Sequence, residues 1–264
     1  MPNMPNMPGM PGMGGSSVPG WDTTGAILML LWALGMWAAV AGLAYANRGP
    51  GRVWVFRASV TVIFVGIIGQ IGHLQEHVAQ AGYWIAHSNS PAWMTPWGTG
   101  LARGFGQVDK TKPTLGMEIL HLTGNFIFLA GLVGVMVITR RTPGARSRWW
   151  GRMGVWMQTF HGLEHLALTL SIAFGATKAI GFSTWFGQLD PGPGLVTYRV
   201  WWHFIANVIG SFIFGMAVYH LWRERNGLRA AYEPGSPDGD GGEQTEPELP
   251  EQINQPDLAP ASPR

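Results

Sequence analysis

The 264-residue chain is 47% hydrophobic, only 12% charged, and has no cysteine. An average soluble domain carries about 25% charged residues, so this composition belongs in a bilayer, and the missing thiols exclude disulfides, thiolate metal sites and iron–sulfur clusters. The formal charge of +2 hides a split: residues 1–230 hold sixteen basic and seven acidic side chains, residues 231–264 eight acidic and one Arg.

Residues 1–23 form a Met/Pro-rich tail. Met1, Met4, Met7, Met10 and Met13 alternate with Pro2, Pro5, Pro8 and Pro11. In a polyproline II helix, with three residues per turn, the five thioethers line one edge at about 9 Å intervals. Thioether is a soft ligand that selects Cu(I), so the tail is a candidate copper-capture segment. The plainer reading is a low-complexity tail. No basic segment precedes the first apolar run, so this is not a signal peptide.

Residues 24–226 contain five apolar runs, near 24–46, 56–80, 115–138, 152–175 and 199–222. Each is long enough to cross about 30 Å of hydrocarbon, so the expected fold is an all-α integral membrane bundle of five transmembrane helices. Eleven Arg lie on one side of these runs: Arg48, Arg52, Arg57, Arg140, Arg141, Arg146, Arg148, Arg152, Arg223, Arg225 and Arg229. The other side has Arg103, Lys110, Lys112, Lys178 and Arg199. The positive-inside rule then places the Met tail outside and the C-terminus inside a multi-pass protein of the cell membrane. Residues 227–264, acidic and rich in Pro and Gly, read as a disordered cytoplasmic tail.

The membrane region repeats itself. Gln70, His73, Glu76 and His77 recur as Gln158, His161, Glu164 and His165, both in the order Q-x-x-H-x-x-E-H. An F-G-Q-x-D block follows each, ending at Asp109 and Asp190, and then H-x-x-x-N, as His121 with Asn125 and His203 with Asn207. Three blocks in matching order predict a duplicated helical hairpin, residues 56–138 and 152–222. The halves differ at one informative place: Glu118 precedes His121, whereas Val200 holds the equivalent position before His203. Gly66, Gly69 and Gly72, and Gly131 with Gly134, read as close helix packing in lipid. Asp109 and Asp190 read as local turn makers.

Offsets of three and four residues share a helical face, and intramembrane carboxylates are costly unless partnered. The expected site is therefore a layer of His73, Glu76, His77, His121, His161, Glu164, His165 and His203 holding two transition-metal ions. Gln70, Asn125, Gln158 and Asn207 would orient the ligands, and Glu118 would handle protons. Imidazole and carboxylate without thiolate suit Fe, Zn, Cu or Mn, with Fe or Cu preferred to Zn, and facing helices carrying inward carboxylates and E-x-x-H units are a dinuclear arrangement. That points to an oxidoreductase activating oxygen on an apolar small-molecule substrate, with an electron donor. The alternative is a non-enzymatic copper-binding and transfer protein served by a copper donor. H-x-x-E-H also fits a zinc hydrolase, and paired His fit haem. Apart from the lipid bilayer no macromolecular partner is indicated. No phosphate loop is present, and the basic loops are explained by orientation, so nucleic acid is excluded.

Overall fold

In hydrocarbon every backbone N–H and C=O must be satisfied within its own segment, so apolar runs become helices. The computed structural model describes residues 19–88, 90 and 93–233. The five tail methionines, and the acidic segment from residue 234 onward, lie outside them. Six helices follow in order: α1 (Gly20–Ala46), α2 (Val53–Ala86), α3 (Pro96–Phe105), α4 (Leu115–Ile138), α5 (Arg146–Ala173) and α6 (Pro193–Ala230). Short 3-10 turns cover Gly106–Val108 and Phe182–Thr184, and no strand occurs among the described residues.

The chain is a multi-pass membrane protein: α1, α2, α4 and α6 are each long and apolar enough to cross a bilayer. α5 is not among them. Its 28 residues would reach about 42 Å at 1.5 Å per residue, but Arg146, Arg148, Arg152, Gln158, His161, Glu164 and His165 dilute its apolar character. α2 and α6 run well past the expected spans 56–80 and 199–222, and residues 227–230 continue α6. Leu28, Leu31, Leu34, Phe64, Ile71, Phe160, Leu163, Ile205 and Phe212 are each more than half exposed. An apolar surface this extensive belongs against lipid.

α4 is the central helix, with 78% of its most apolar stretch buried against 28–33% for α1, α2 and α6. Gly66 of α2 meets Gly131 of α4 backbone to backbone: a Cβ added at Gly66 would stand 2.6 Å from the Gly131 Cα. Only glycine permits that approach.

The arginine-rich end of the bundle is tied by polar contacts to backbone groups that the helix ends leave free. Asn47 Nδ2 donates to Val137 O at 2.7 Å and to Tyr232 Oη at 3.0 Å. The buried Tyr232 hydroxyl donates to Val137 O and Ile138 O. Arg141 reaches Asn47 Oδ1 and Gly49 O. Glu224 of α6 accepts from the Arg146 and Ser147 amides at the start of α5, where the helix dipole favours an anion. At the opposite end the short helix α3 is clamped to α1 by the Arg103–Asp22 ion pair at 2.9 Å. Thr95 caps α3 by accepting from Gly98 N, and Pro96 opens it, as expected for a helix start.

Substituting Gly66 by Val should force α2 and α4 apart and cost about 1–3 kcal/mol, the usual penalty of overpacking. Gly35→Ala, where nothing lies within 4 Å of the new Cβ, should be neutral or slightly stabilising. Thermal unfolding of the two variants in detergent, followed by circular dichroism, checks this; equal midpoints would refute the backbone contact.

Candidate functional site

Six histidines from four helices meet in one buried layer. α2 contributes His73 and His77, α4 His121, α5 His161 and His165, and α6 His203. Their ring centroids lie 4.8 Å apart for His73–His77 and 4.8 Å for His161–His165. His77 stacks on His203 at 5.5 Å and His121 on His165 at 5.4 Å. His73–His121 is 6.1 Å and His161–His203 is 6.0 Å. His77–His121 and His165–His203 are 5.5 and 5.0 Å, and His121–His203 is 5.9 Å. Each distance in one hairpin thus has its counterpart in the other.

The amide side chains repeat the correspondence. Gln70 Nε2 donates to Asn207 Oδ1 at 3.2 Å, and Gln158 Nε2 donates to Asn125 Oδ1 at 2.5 Å. Each glutamine therefore crosses to the asparagine of the other hairpin. Asn125 Nδ2 donates to His121 O, and Asn207 Nδ2 to His203 O. These four residues fix the backbone beneath two of the imidazoles rather than touching the rings.

Three rings have an assigned tautomer. The Nδ1–H of His121 donates to Met117 O at 2.8 Å, and that of His203 to Arg199 O at 2.7 Å. His77 Nδ1 lies 3.0 Å from Gln80 Oε1, and Gln80 Nε2 donates to Glu76 Oε1. That orientation of Gln80 makes His77 Nδ1 the donor. In all three rings Nε2 then keeps the free lone pair. A hydrogen bond at one ring nitrogen that selects the other as ligand is the usual support for a metal-binding imidazole. Seven buried ring nitrogens have no protein partner: both of His73, both of His165, and Nε2 of His77, His161 and His203.

The carboxylates border the layer and are anchored by the loops, with Glu164 Oε2 3.9 Å from His161 Nδ1. Glu76 accepts from the Thr95 amide at 2.9 Å and from the Thr95 hydroxyl. It lies at the N-terminus of α3, where a Cβ on Gly98 would stand 2.8 Å from Glu76 Oε2; helix dipole and free amides favour a carboxylate there. Glu164 accepts from the Ser183 amide at 2.7 Å and from Trp202 Nε1 at 2.9 Å. Thr95 and Ser183 each follow their Glu by 19 residues, so the two contacts are equivalent. Both carboxylates satisfy backbone amides of the connecting loops. Glu118 pairs with Arg199 at 2.9 Å, leaving its Oε2 buried and unpartnered. As the side chains stand, no group of three or more His, Asp or Glu among the described residues is arranged to hold a metal ion.

Gln80, Thr95, Ser183, Arg199 and Trp202 escape a reading by repeat alone. Leu168 stands where Gln80 does in the other half, and Met117 where Arg199 does, so the repeat gives no signal for either. The F-G-Q blocks also diverge. Phe105 ends α3, while Trp185 and Phe186 take left-handed backbone angles, φ 53° and 56°. Asp109 bonds the Thr111 amide and hydroxyl, and Lys112 and Thr111 hold its carboxyl down at about 2. Lys178 likewise keeps Asp190 below the ordinary carboxylate range. Both are exposed local contacts remote in character from the imidazole layer.

No curated protein and no solved structure matches the chain. A family model does match, over residues 7–256, nearly the full length: the chain belongs to the family of unknown function DUF6008.

Proposed function

We propose that the protein is a membrane copper protein whose imidazole layer holds one or two copper ions. The seven buried, unpartnered ring nitrogens carry this reading. A purely structural histidine network would pair those atoms, since a buried unsatisfied donor or acceptor costs about 1–3 kcal/mol. The ring spacings around His77, His121 and His203, 5.5–5.9 Å, suit imidazoles sharing an ion at nitrogen–metal distances of about 2 Å. Binding requires ring rotation, because the His77 and His203 rings are nearly parallel, at 9°. Glu76 and Glu164 are anchored by loop amides, so the ligand set proposed here is the imidazoles, with the two carboxylates at its border. That favours copper over the carboxylate-bridged di-iron centre, and argues against a zinc hydrolase needing a Glu base at the metal. The Met tail, outside the described residues, is the proposed source of captured copper.

The remaining features belong to the same proposal. α5 completes five spans, polar because it carries two of the six imidazoles and shielded by α4 and α6. The two hairpins, α2 with α4 and α5 with α6, arose by duplication, as the cross-paired Gln70–Asn207 and Gln158–Asn125 contacts support. The arginine-rich end faces the cytoplasm, placing the imidazole layer toward the outer surface. Redox chemistry is favoured over simple transfer by Glu118, whose bare oxygen, beside an oxygen held by Arg199, is placed to exchange protons with the layer.

The chain purified in nanodiscs after growth with copper should contain one or two copper ions by mass spectrometry, with nitrogen hyperfine structure in the Cu(II) EPR spectrum. Two irons and no copper would replace this reading with the di-iron one; no metal would leave a polar network. Gln80→Leu removes the partner of His77 Nδ1 and should weaken copper about 10- to 100-fold, while Glu76→Gln should lower thermal stability and keep the copper.

Topology is tested separately. Reporter fusions after Gly51 and Gly144 should both read as cytoplasmic. Opposite sides for the two fusions would exclude an α2–α4 hairpin, and an outer signal at both would invert the orientation.

A further inference from the structure

The arginine-rich end of the bundle carries far more positive charge than its own contacts use. Among the described residues the acids of that end are Glu224 and Glu233. Glu224 is taken up by the Arg146 and Ser147 amides. The one ion pair of this end among the described residues is Arg229–Glu233 at 3.4 Å, with both partners exposed. Arg48, Arg52, Arg57, Arg140, Arg146 and Arg152 are exposed as well, and no described acid pairs with them.

Part of this charge sits over the centre of the bundle rather than at its lipid rim. Arg140 and Arg141 directly follow α4, the central helix. The Arg141 guanidinium lies over the Tyr232 ring, 5.3 Å from its centroid. The backbone of Gly51, next to Arg52, packs on the same place: a Cβ there would stand 3.0 Å from Ala231 O and 3.1 Å from Tyr232 Cα. Lipid phosphates line the rim of a helix bundle and do not reach the end of a helix enclosed by others.

The chain leaves the described structure at this spot. Tyr232 is only 1% exposed, and its hydroxyl is tied to Asn47, Val137 and Ile138. Glu233 is the last described residue. Residues 234–264 hold seven acids and one Arg, and six of the acids fall within 238–251. Glu251 follows Glu233 by 18 residues, a length that spans roughly 21–25 Å even as a random coil. The tether alone therefore keeps these carboxylates over the arginines at a millimolar effective concentration.

We propose that residues 238–251 dock on the arginine-rich end around Arg52, Arg140 and Arg141, as an intramolecular cover of a surface that otherwise attracts anionic molecules. A single exposed ion pair is weak, so the docking rests on six carboxylates acting together and fades with salt. It involves none of the imidazoles and needs no copper.

The chain has no cysteine, so two introduced ones can be spin-labelled alone. Gly144→Cys, where a new Cβ meets nothing within 4 Å, is paired with Gln244→Cys in the full chain. The separation is read by double electron–electron resonance in phosphatidylcholine nanodiscs. A narrow short-distance population is expected at about 0.1 M salt and its loss at about 1 M, as the screening length falls from about 10 to about 3 Å. Replacing the six carboxylates by Asn or Gln should remove it at either salt. Arg52→Gln with Arg140→Gln should lose most of it, with the helix content unchanged by circular dichroism. Phosphatidylglycerol added to the nanodiscs should leave it in place. A broad distribution at about 0.1 M salt, or a narrow one indifferent to the six carboxylates or to the two arginines, overturns the proposal. Release by phosphatidylglycerol also overturns it, by assigning the arginines to lipid.

Discussion

The polar side chains in the middle of this bundle are buried, and most of them are matched by another part of the chain. Each unmatched buried donor or acceptor costs about 1–3 kcal/mol. Gln70 and Gln158 are matched by asparagines of the opposite hairpin, Glu76 and Glu164 by loop amides, and Glu118 by Arg199. These contacts hold α2, α4, α5 and α6 in one register, and the loops follow from where the carboxylates need amides. Against that background, seven bare imidazole nitrogens represent a liability on the order of 10 kcal/mol. A typical domain is stable by only about 5–15 kcal/mol in all. That comparison is what favours the proposed binding layer over a merely structural one.

The same cost bears on which ion would be held. A divalent ion in a low-dielectric layer needs charge compensation, and the nearest carboxylates are already committed to backbone amides and to Arg199. Moving Glu76 onto a metal would leave the Thr95 amide and hydroxyl without their acceptor. A monovalent soft ion among neutral imidazoles needs no such rearrangement. Copper, which alternates between monovalent and divalent states, is thus easier to accommodate than a pair of ferrous ions, and the ligand softness agrees.

Much of the architecture was legible because hydrophobic runs and helical offsets are local properties. The runs behind α1, α2, α4 and α6 were visible as long apolar stretches, and the spacing of His73 with His77 and of His161 with His165 implied shared faces. Helix ends were less legible: α2 and α6 project beyond the apolar runs, where composition changes but the backbone does not. α3 was missed altogether, although Thr95 followed by Pro96 is a readable helix start, because three glycines in residues 96–105 suggest a loop. The roles of the carboxylates could not be read from spacing. An E between two His on one helical face looks like a ligand until the position of a distant amide is known, and Thr95 and Ser183 meet Glu76 and Glu164 only through tertiary packing. The glycine pattern was similarly ambiguous: Gly66, Gly69 and Gly72 form one series in sequence, yet two close a helix contact and the third borders a cavity.

The departures from two-fold correspondence fall on both hairpins, and one of them is the cover that α1 and α3 give to the first. Gln80 supports His77, whereas Leu168 leaves His165 Nδ1 bare. Glu118 has no acidic counterpart, and Arg199, its partner, has no basic one. The cavity lies between α1, α2, α3 and α4, and no additional helix flanks the other hairpin to form its equivalent. A reaction or a transfer, as proposed for the layer, would need a direction, and these residues would give it one: Gln80 orients the ring of His77, and Glu118, a buried carboxylate with one bare oxygen, stands on α4.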